Sequence, residues 1–268
     1  MSRNRIRLSR LAALAAAFIM PGVLLCPFTL AEAAAAAKEQ EVFTADPGLP
    51  ASVCKELLSV EAEKITLTGS GPKVLIYHTH TGEAYSDTKD TDWRTDDTKR
   101  NVVAVGNALA EALTEYGIET IHDKTDHEKP KLATAYTRSL VTMERYKEKY
   151  PSIELFIDVH RDAGTEGETV VIGGKDAAQL LFIVGTGEKA DEKPEYKENF
   201  ALAKAVFEQL NAVHPGLVRP IRVKEGRYNQ HAGRSLFVNV GNNRNTLEEA
   251  LNAAESLAEA IEKVVQKD

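Results

Sequence analysis

Two histidines and a glutamate follow a short apolar stretch in "VLIYHTHTGEAYSD", residues 74–87. A catalytic zinc takes three protein ligands of nitrogen or oxygen type and keeps a fourth position for water. The three ligands could come from His80, Glu83 and a distant histidine, His160. His78 shares a strand face with His80, since side chains alternate along a strand. It could replace His80 as a ligand or support it from outside the ligand set. Isolated strand-end histidines are commonly only hydrogen-bonded, but several converging donors favour a metal.

Two aspartates flank the distant histidine in "DVHRDA". Strand alternation places Asp158 and Asp162 on the same face as His160, where either could accept a hydrogen bond from the imidazole and orient it. Asp162 could equally cap the turn that follows the strand. A further polar residue, Asn239, lies near the end of the last apolar stretch, "SLFVNV".

The elements that position these residues alternate along the chain. Short apolar stretches predict strands, and longer stretches with helical spacing predict helices. A capping box of Thr246 and Glu249 opens the last helix. The predicted strands are "KVLIY", "IETIH", "IELFIDVH", "QLLFIVG" and "SLFVNV", and the predicted helices are "RNVVAVGNALAEALTEYG", "ATAYTRSLVTMERYKEKY", "KENFALAKAVFEQLNAV" and "NTLEEALNAAESLAEAIEKVV". We therefore predict an α/β fold of three layers, a mainly parallel central sheet with helices on both faces. Ligands of such sheets bind beyond the carboxyl ends of the strands, where the polar residues fall.

The N-terminus has the pattern of an export signal. Arginines at positions 3, 5, 7 and 10 precede an apolar stretch that ends in an alanine-rich segment. This pattern is typical of a cleaved signal peptide. An uncleaved membrane anchor is the alternative, because the apolar stretch approaches the ~20 residues that span a bilayer. Residues 1–34 are thus a predicted signal or anchor, and both alternatives place the rest outside the cytoplasm.

Residues 35–71 are predicted to be a stalk or linker, because proline and glycine flank its single helical stretch, "ASVCKELLSVEAEK". Residues 72–268 are predicted to form the catalytic domain. Cys26 lies in the predicted signal, and Cys54 is the other cysteine of the chain, so no internal disulfide framework is expected.

The charge of the chain excludes one class of partner. Its formal net charge is −7. Loss of residues 1–34 removes four arginines and one glutamate, which brings the charge to about −10. An acidic exported protein is not expected to bind nucleic acid through bulk charge.

The order of five motifs resembles one family. "VLIYHTHTGEAY", "HDKTDH", "DVHRDA", "YNQH" and "VGNNRNTLEEA" resemble the stage II sporulation protein P family from about Lys73 to the C-terminus. Its members are exported peptidoglycan hydrolases, related to zinc-dependent N-acetylmuramoyl-L-alanine amidases. The resemblance implies zinc held by His80, Glu83 and His160, and hydrolysis of the amide between the glycan lactyl group and the stem peptide. It also implies stem-peptide crosslink cleavage as a second activity.

The resemblance implies further contacts. Arg161 and Asn229 are candidates for binding substrate carboxylates or amides. The expected partners are peptidoglycan, a lytic transglycosylase and a membrane scaffold of the engulfment machinery.

The chain departs from the amidase pattern at one position. The pattern places a catalytic glutamate on the last strand, where this chain has Asn239. An amide can hydrogen-bond a water molecule, but it cannot take its proton. Three alternatives follow: a slowed amidase, an amidase with another base, or a peptidoglycan-binding or regulatory protein that keeps the fold. A metallohydrolase that uses His78 and His80 as a ligand pair is a more remote hypothesis.

Overall fold

The computed structural model describes residues 42–88, 92–187, 195–226 and 233–267. The predicted signal or anchor, residues 1–34, therefore lies outside the described residues. The strands are β1 (Phe43–Ala45), β2 (Ile65–Leu67), β3 (Val74–Tyr77), β4 (Thr120–His122), β5 (Leu155–Asp162), β6 (Thr169–Ile172), β7 (Lys175–Ala178), β8 (Leu180–Gly185), β9 (Ile221–Lys224), β10 (Ser235–Asn242) and β11 (Val265–Lys267). The α-helices are α1 (Ala51–Leu58), α2 (Val102–Glu115), α3 (Ala135–Lys149), α4 (Tyr196–Val213) and α5 (Leu247–Val264), and a 3₁₀ turn spans Leu132–Thr134.

A seven-stranded sheet forms the centre, in the order β1-β9-β8-β10-β5-β3-β4. Its neighbouring strands are parallel except for the antiparallel pair of β8 and β10. The prediction of a mainly parallel sheet is therefore confirmed. The strands β3, β5 and β10 run in the same direction, so their carboxyl ends meet at one edge of the sheet.

Helices cover both faces of this sheet. Helices α2, α4 and α5 pack into the large core with one face, represented by Ile76, Ile157 and Val238. Helix α3 covers the other face through a smaller hydrophobic cluster that contains Met143 of the helix and Tyr77 and Phe156 of the sheet. The predicted three-layer α/β class is confirmed by this arrangement.

Local signals fix the helices that flank the site. The Asn101 side chain accepts a hydrogen bond from the N–H of Val103 and begins α2. The predicted capping box is present: Thr246 and Glu249 satisfy each other's backbone N–H groups and begin α5 directly after β10. Both helices therefore start at the sheet edge that carries the polar residues.

The structure places the domain boundary differently from the predicted stalk. β1 is an edge strand of the central sheet, paired with β9, and β2 pairs with β11 at the C-terminus. The predicted helical stretch contains α1, and Val53 and Leu57 on it belong to the main core. Residues 42–71 are therefore part of the domain, because their apolar side chains are buried in its core rather than exposed along a linker.

Within the residues described, no helix combines the length and apolar character needed to cross a membrane.

Candidate metal centre

The structure brings four of the predicted residues to the same sheet edge. His80 lies three residues beyond β3, and the ring of His160 on β5 is 5.5 Å from the His80 ring, centroid to centroid. Glu83 Oε2 is 3.2 Å from Nδ1 of His160. Asn239 on β10 is the register partner of His160 on the adjacent parallel strand. A tight turn returns Glu83 to this position, with its N–H bonded to the His80 carbonyl.

His160 is fixed from several sides. Its Nε2 lies 2.8 Å from Oδ1 of the fully buried Asp158, although this close ion pair is poorly aligned for a hydrogen bond. Asp158 is itself anchored, because it accepts hydrogen bonds from the N–H and hydroxyl of Thr79 at 2.8 and 2.6 Å. The His160 ring stacks on Phe237, with centroids 4.1 Å apart. The imidazole therefore has little freedom to turn.

The carboxylates of Asp158 and Glu83 determine the charge of the His160 ring. Burial alone would lower the pKa of His160, but the carboxylates of Asp158 and Glu83 outweigh it and raise the pKa to about 10. Burial would likewise raise the pKa of the Glu83 carboxyl, but His160 and Arg161 lower it. Two carboxylates thus face one imidazole in a dry environment. They favour the protonated, positively charged form of the ring, and a metal cation bound here would face the same two carboxylates.

His80 has a carboxylate partner that sequence reasoning missed. Its Nδ1 is 3.1 Å from Oε1 of Glu128. Glu128 also accepts hydrogen bonds from the N–H of Gly82, at 2.9 Å, and from the guanidinium of Arg94. Burial would raise the pKa of Glu128, but the hydrogen bonds from His80 and Arg94 lower it to about 2. The "HDKTDHEK" segment carries this residue, but nothing in its local pattern connects Glu128 to His80.

Each of the two histidines has a carboxylate next to one ring nitrogen: Glu128 beside His80, and Asp158 beside His160. When Nδ1 of His80 donates to Glu128, the Nε2 lone pair of His80 is free for a metal. When Nε2 of His160 faces Asp158, its Nδ1 is directed at Glu83. Carboxylates commonly hold zinc-binding histidines in this manner and fix the tautomer.

The two imidazoles and the Glu83 carboxylate are donor types that suit zinc, but they are not arranged around one point. In the part of the chain that the structure describes, no group of three or more His, Cys, Asp and Glu side chains is placed to hold a metal ion as it stands. Nδ1 of His160 and Oε2 of Glu83 are in direct contact. Zinc held by His160 and Glu83 would replace this direct contact.

His78 takes a different position from His80. It is fully buried, its Nδ1 is 2.8 Å from the Val159 carbonyl, and its Nε2 is 2.8 Å from Nε2 of His122. Burial lowers the pKa of His78 to about 4 and that of His122 to about 2. Both rings lie against Gly106 of α2, on the opposite side of the sheet from α3. The hydrogen bonds of His78 are thus made within the core, away from the His80 ring.

The remaining predicted residues have structural contacts or lie outside the described residues. Arg161 donates to the carbonyls of Ala84, Asp162 and Trp93 at 3.0–3.3 Å, so its guanidinium fastens the loop after Glu83. Asp162 accepts from the N–H of Ala163, as expected for a turn cap, and lies 3.4 Å from Arg219. Asn229 lies outside the described residues.

Comparison with known proteins gives a family. The family described as "Stage II sporulation protein P (SpoIIP)" matches residues 29–262. Stage II sporulation protein P of Bacillus subtilis (strain 168) is 29% identical over 210 residues, which cover 72% of this chain and 51% of that protein. The chain therefore spans about half the length of this curated relative.

Several solved amidase structures are similar to this chain at low identity. The apo form of the N-acetylmuramyl-L-alanine amidase Ami1 from Mycobacterium abscessus has a TM-score of 0.44 and 14% identity, and covers 73% of this chain and 97% of its own. For the CwlD amidase from Clostridioides difficile in complex with the GerS lipoprotein, the TM-score is 0.42 and the identity 18%, with 70% and 94% covered. The amidase AmiC2 of Nostoc punctiforme has a TM-score of 0.42 and 14% identity, with 73% and 96% covered.

Proposed function

Since this chain belongs to the stage II sporulation protein P family, we propose that it is an exported zinc-dependent peptidoglycan hydrolase. Its hydrolysis is slow, because position 239 carries an asparagine instead of a glutamate. The bond it cleaves is the amide between the lactyl group of N-acetylmuramic acid and L-alanine, and stem-peptide crosslinks are a second candidate substrate. One observation carries this proposal: His160 lies between the carboxylates of Glu83 and Asp158, with the His80 ring 5.5 Å away.

The residues of the site have separate tasks in this reaction. His80, Glu83 and His160 would hold the metal, and Glu128 and Asp158 would fix the two imidazoles. Zinc, when bound, polarises a carbonyl and lowers the pKa of a bound water to ~7. The register of β10 and β5 places Asn239 beside His160. Its amide can orient the water or the scissile carbonyl by hydrogen bonding, but it cannot accept the proton of the water.

The same residue sets the expected rate. A positioned general base contributes ~10²–10⁴-fold to a hydrolysis. With an amide at position 239, proton removal depends on solvent. We therefore expect hydrolysis that is detectable over hours but slow compared with relatives that carry glutamate.

Asn239 also favours a second candidate function. A chain that retains the histidine and carboxylate positions without the base could bind peptidoglycan and regulate other hydrolases. This alternative predicts retention on cell-wall sacculi without release of stem peptides.

Export and the proposed partners follow from residues outside the described structure and from the family. The basic, then apolar N-terminus supports a signal or an anchor in the cytoplasmic membrane. A lytic transglycosylase and a membrane scaffold of the engulfment machinery are the proposed protein partners in sporulation.

Digestion of purified sacculi tests the proposal. Metal-stripped protein is reloaded with zinc and incubated with sacculi, and soluble products are identified by mass spectrometry. We expect stem peptides with a free L-alanine amino group, and glycan with a free lactyl carboxylate. Glu83→Gln protein, prepared identically, controls for contaminating hydrolases. If the protein is retained on sacculi but releases no stem peptides, the result would contradict hydrolysis and support the binding function.

A further inference from the structure

A tryptophan beside the candidate metal centre has an unusual backbone conformation. Trp93 has a φ of 53°, in the left-handed region that bulky residues rarely adopt. Its carbonyl accepts hydrogen bonds from the N–H of Ala84, at 2.8 Å, and from Nη2 of Arg161, at 3.1 Å. Ala84 follows Glu83 directly. The loop is therefore fastened to the candidate ligand segment in a conformation that its own sequence disfavours, which is common at functional sites.

The Trp93 ring is covered by an arginine from another part of the edge. Cζ of Arg244 lies 4.5 Å from the ring centroid. Arg244 belongs to the turn between β10 and α5, and its backbone N–H donates to Oδ1 of Asn242 at 2.7 Å. The backbone of the arginine is thus held by the turn, and its guanidinium by the ring. Two separate loops converge to form this pair.

Arg244 also presents a charge that the protein does not neutralise. Its side chain is exposed, and among the described residues no carboxylate lies within 4.0 Å of its guanidinium. The other arginines of this edge differ: Arg94 pairs with Glu128, and Arg161 donates to backbone carbonyls. In a chain with a net charge of −7, this cation is therefore available to a ligand.

We propose that Arg244 and Trp93 form a binding subsite for a free carboxylate of the peptidoglycan stem peptide. The inference rests on the proposed function and names the part of the substrate that the site recognises. A planar guanidinium binds a carboxylate through two parallel hydrogen bonds, and stacking on an aromatic ring holds the guanidinium in the orientation required. The stem peptide carries such carboxylates beyond the scissile amide. The pair is connected to the candidate centre through the hydrogen bond from Ala84, the residue after Glu83, to the Trp93 carbonyl, and Arg244 lies two residues beyond the end of β10.

The chain contains its own reporter for this test, because Trp93 is its single tryptophan. Zinc-loaded protein is titrated with the stem tripeptide L-alanyl-γ-D-glutamyl-L-lysine while tryptophan fluorescence is recorded. A matched tripeptide with amidated carboxylates is titrated in parallel. We expect the free tripeptide to change the fluorescence, and amidation or Arg244→Gln to raise its Kd about tenfold or more, as for loss of a charge-assisted pair. Arg222→Gln is the control: Arg222 lies on distant β9 and forms a surface ion pair with Asp46, and its replacement should leave Kd unchanged.

A second variant tests whether weaker binding by Arg244→Gln results from misfolding of the loop. Trp93→Gly removes the ring but suits a positive φ, so the loop is expected to keep its conformation. Calorimetric titration of this variant should also show weakened tripeptide binding. Equal Kd values for the free and amidated tripeptides, or an unchanged Kd in Arg244→Gln, would overturn the inference.

The tripeptide lacks the scissile amide, so binding is measured independently of hydrolysis. Tripeptide binding without release from sacculi would retain the subsite and remove the hydrolase function. Release from sacculi without carboxylate-dependent binding would retain the hydrolase function and remove the subsite.

Discussion

Asn239 and His160 are register partners on the adjacent parallel strands β10 and β5. Alternation along β10 places Asn239 on the same face as Phe237, on which the His160 ring stacks. The amide of Asn239 therefore lies next to the candidate metal centre, where the family-related amidases are expected to carry their catalytic glutamate. On the opposite face of β10, Val238 and Val240 are fully buried in the main core.

Replacing Glu128 with glutamine should weaken zinc binding. The neutral amide is a poorer acceptor for Nδ1 of His80, and its NH₂ group competes with the Arg94 guanidinium for the same space. Changes at groups that support metal ligands typically cost 10- to 100-fold in metal affinity. We expect about a 10-fold higher Kd for zinc, measured by competition with a chromophoric chelator.

Glu144→Gln is the matched control for this variant, because Glu144 is an exposed residue of α3. Its zinc affinity should equal that of the wild type. Equal affinity in Glu128→Gln would show that His80 does not depend on Glu128 for its orientation, or does not bind zinc.

Gly106→Ala should destabilise the fold. A Cβ at this position would lie 2.7 Å from Nε2 of both His78 and His122, whose rings are held by other hydrogen bonds. Overpacking costs about 1–3 kcal/mol, which we expect to exceed the ~1 kcal/mol that alanine gains in helix propensity. Urea unfolding measures the difference. Gly48→Ala, where no heavy atom lies within 4 Å, should change the free energy of unfolding by less than about 0.5 kcal/mol.

The same histidine pair should make the protein sensitive to mild acid. Burial lowers the pKa of His122 from 6.5 to about 2 and that of His78 to about 4. Below pH 6.5 the unfolded chain binds protons that the folded chain excludes. The stability contribution of this pair is therefore present above pH 6.5 and is lost as the pH falls below it. Each such proton gives a slope of about 1.4 kcal/mol per pH unit. The raised pKa of His160 acts in the opposite direction, and comparison with a variant of the pair separates the two effects.

Urea unfolding of the metal-stripped protein between pH 7 and 5 measures this slope. His122→Gln keeps a donor for Nε2 of His78 but removes one titrating ring, so it should flatten the slope by about one proton. His214→Gln, at the end of α4, controls for the loss of an imidazole elsewhere. Identical slopes in wild type and His122→Gln would contradict the buried neutral pair.

The fold was predictable where patterns are local. Continuous apolar stretches and helical spacing locate β3, β5, β8, β10 and the helices α2 to α5, because each buries a face that its own sequence defines. The short strand β4 is also found, from "IETIH", but other short elements escape this reasoning. β9, "IRVK", alternates over four residues only, and β1 becomes a strand through pairing with β9.

The site was predictable to a similar extent. The positions of His80 and Glu83 just after one strand predict that they lie near His160, and alternation along β5 places Asp158 beside that ring. The predicted common face of His78 and His80 is wrong, because β3 ends at Tyr77 and the two rings have different neighbours. The metal-binding roles of these residues stay a prediction.

The position of Glu128 is not found in this way, because it reaches His80 across 48 residues of chain through a contact that only the tertiary fold creates. Likewise, proline and glycine on both sides of the helical stretch in residues 35–71 indicate a linker, and only the packing of Val53 and Leu57 shows that residues 42–71 belong to the domain.

The rate of stem-peptide release by Asn239→Glu, compared with wild type, tests the central claim most directly. Both proteins are loaded with zinc and incubated with sacculi under identical conditions, and release is followed by mass spectrometry. A carboxylate at this position supplies the missing base, so we expect the variant to be ~10²–10⁴-fold faster than the slow wild type. No release by either zinc-loaded protein would contradict a hydrolytic site at His80, Glu83 and His160.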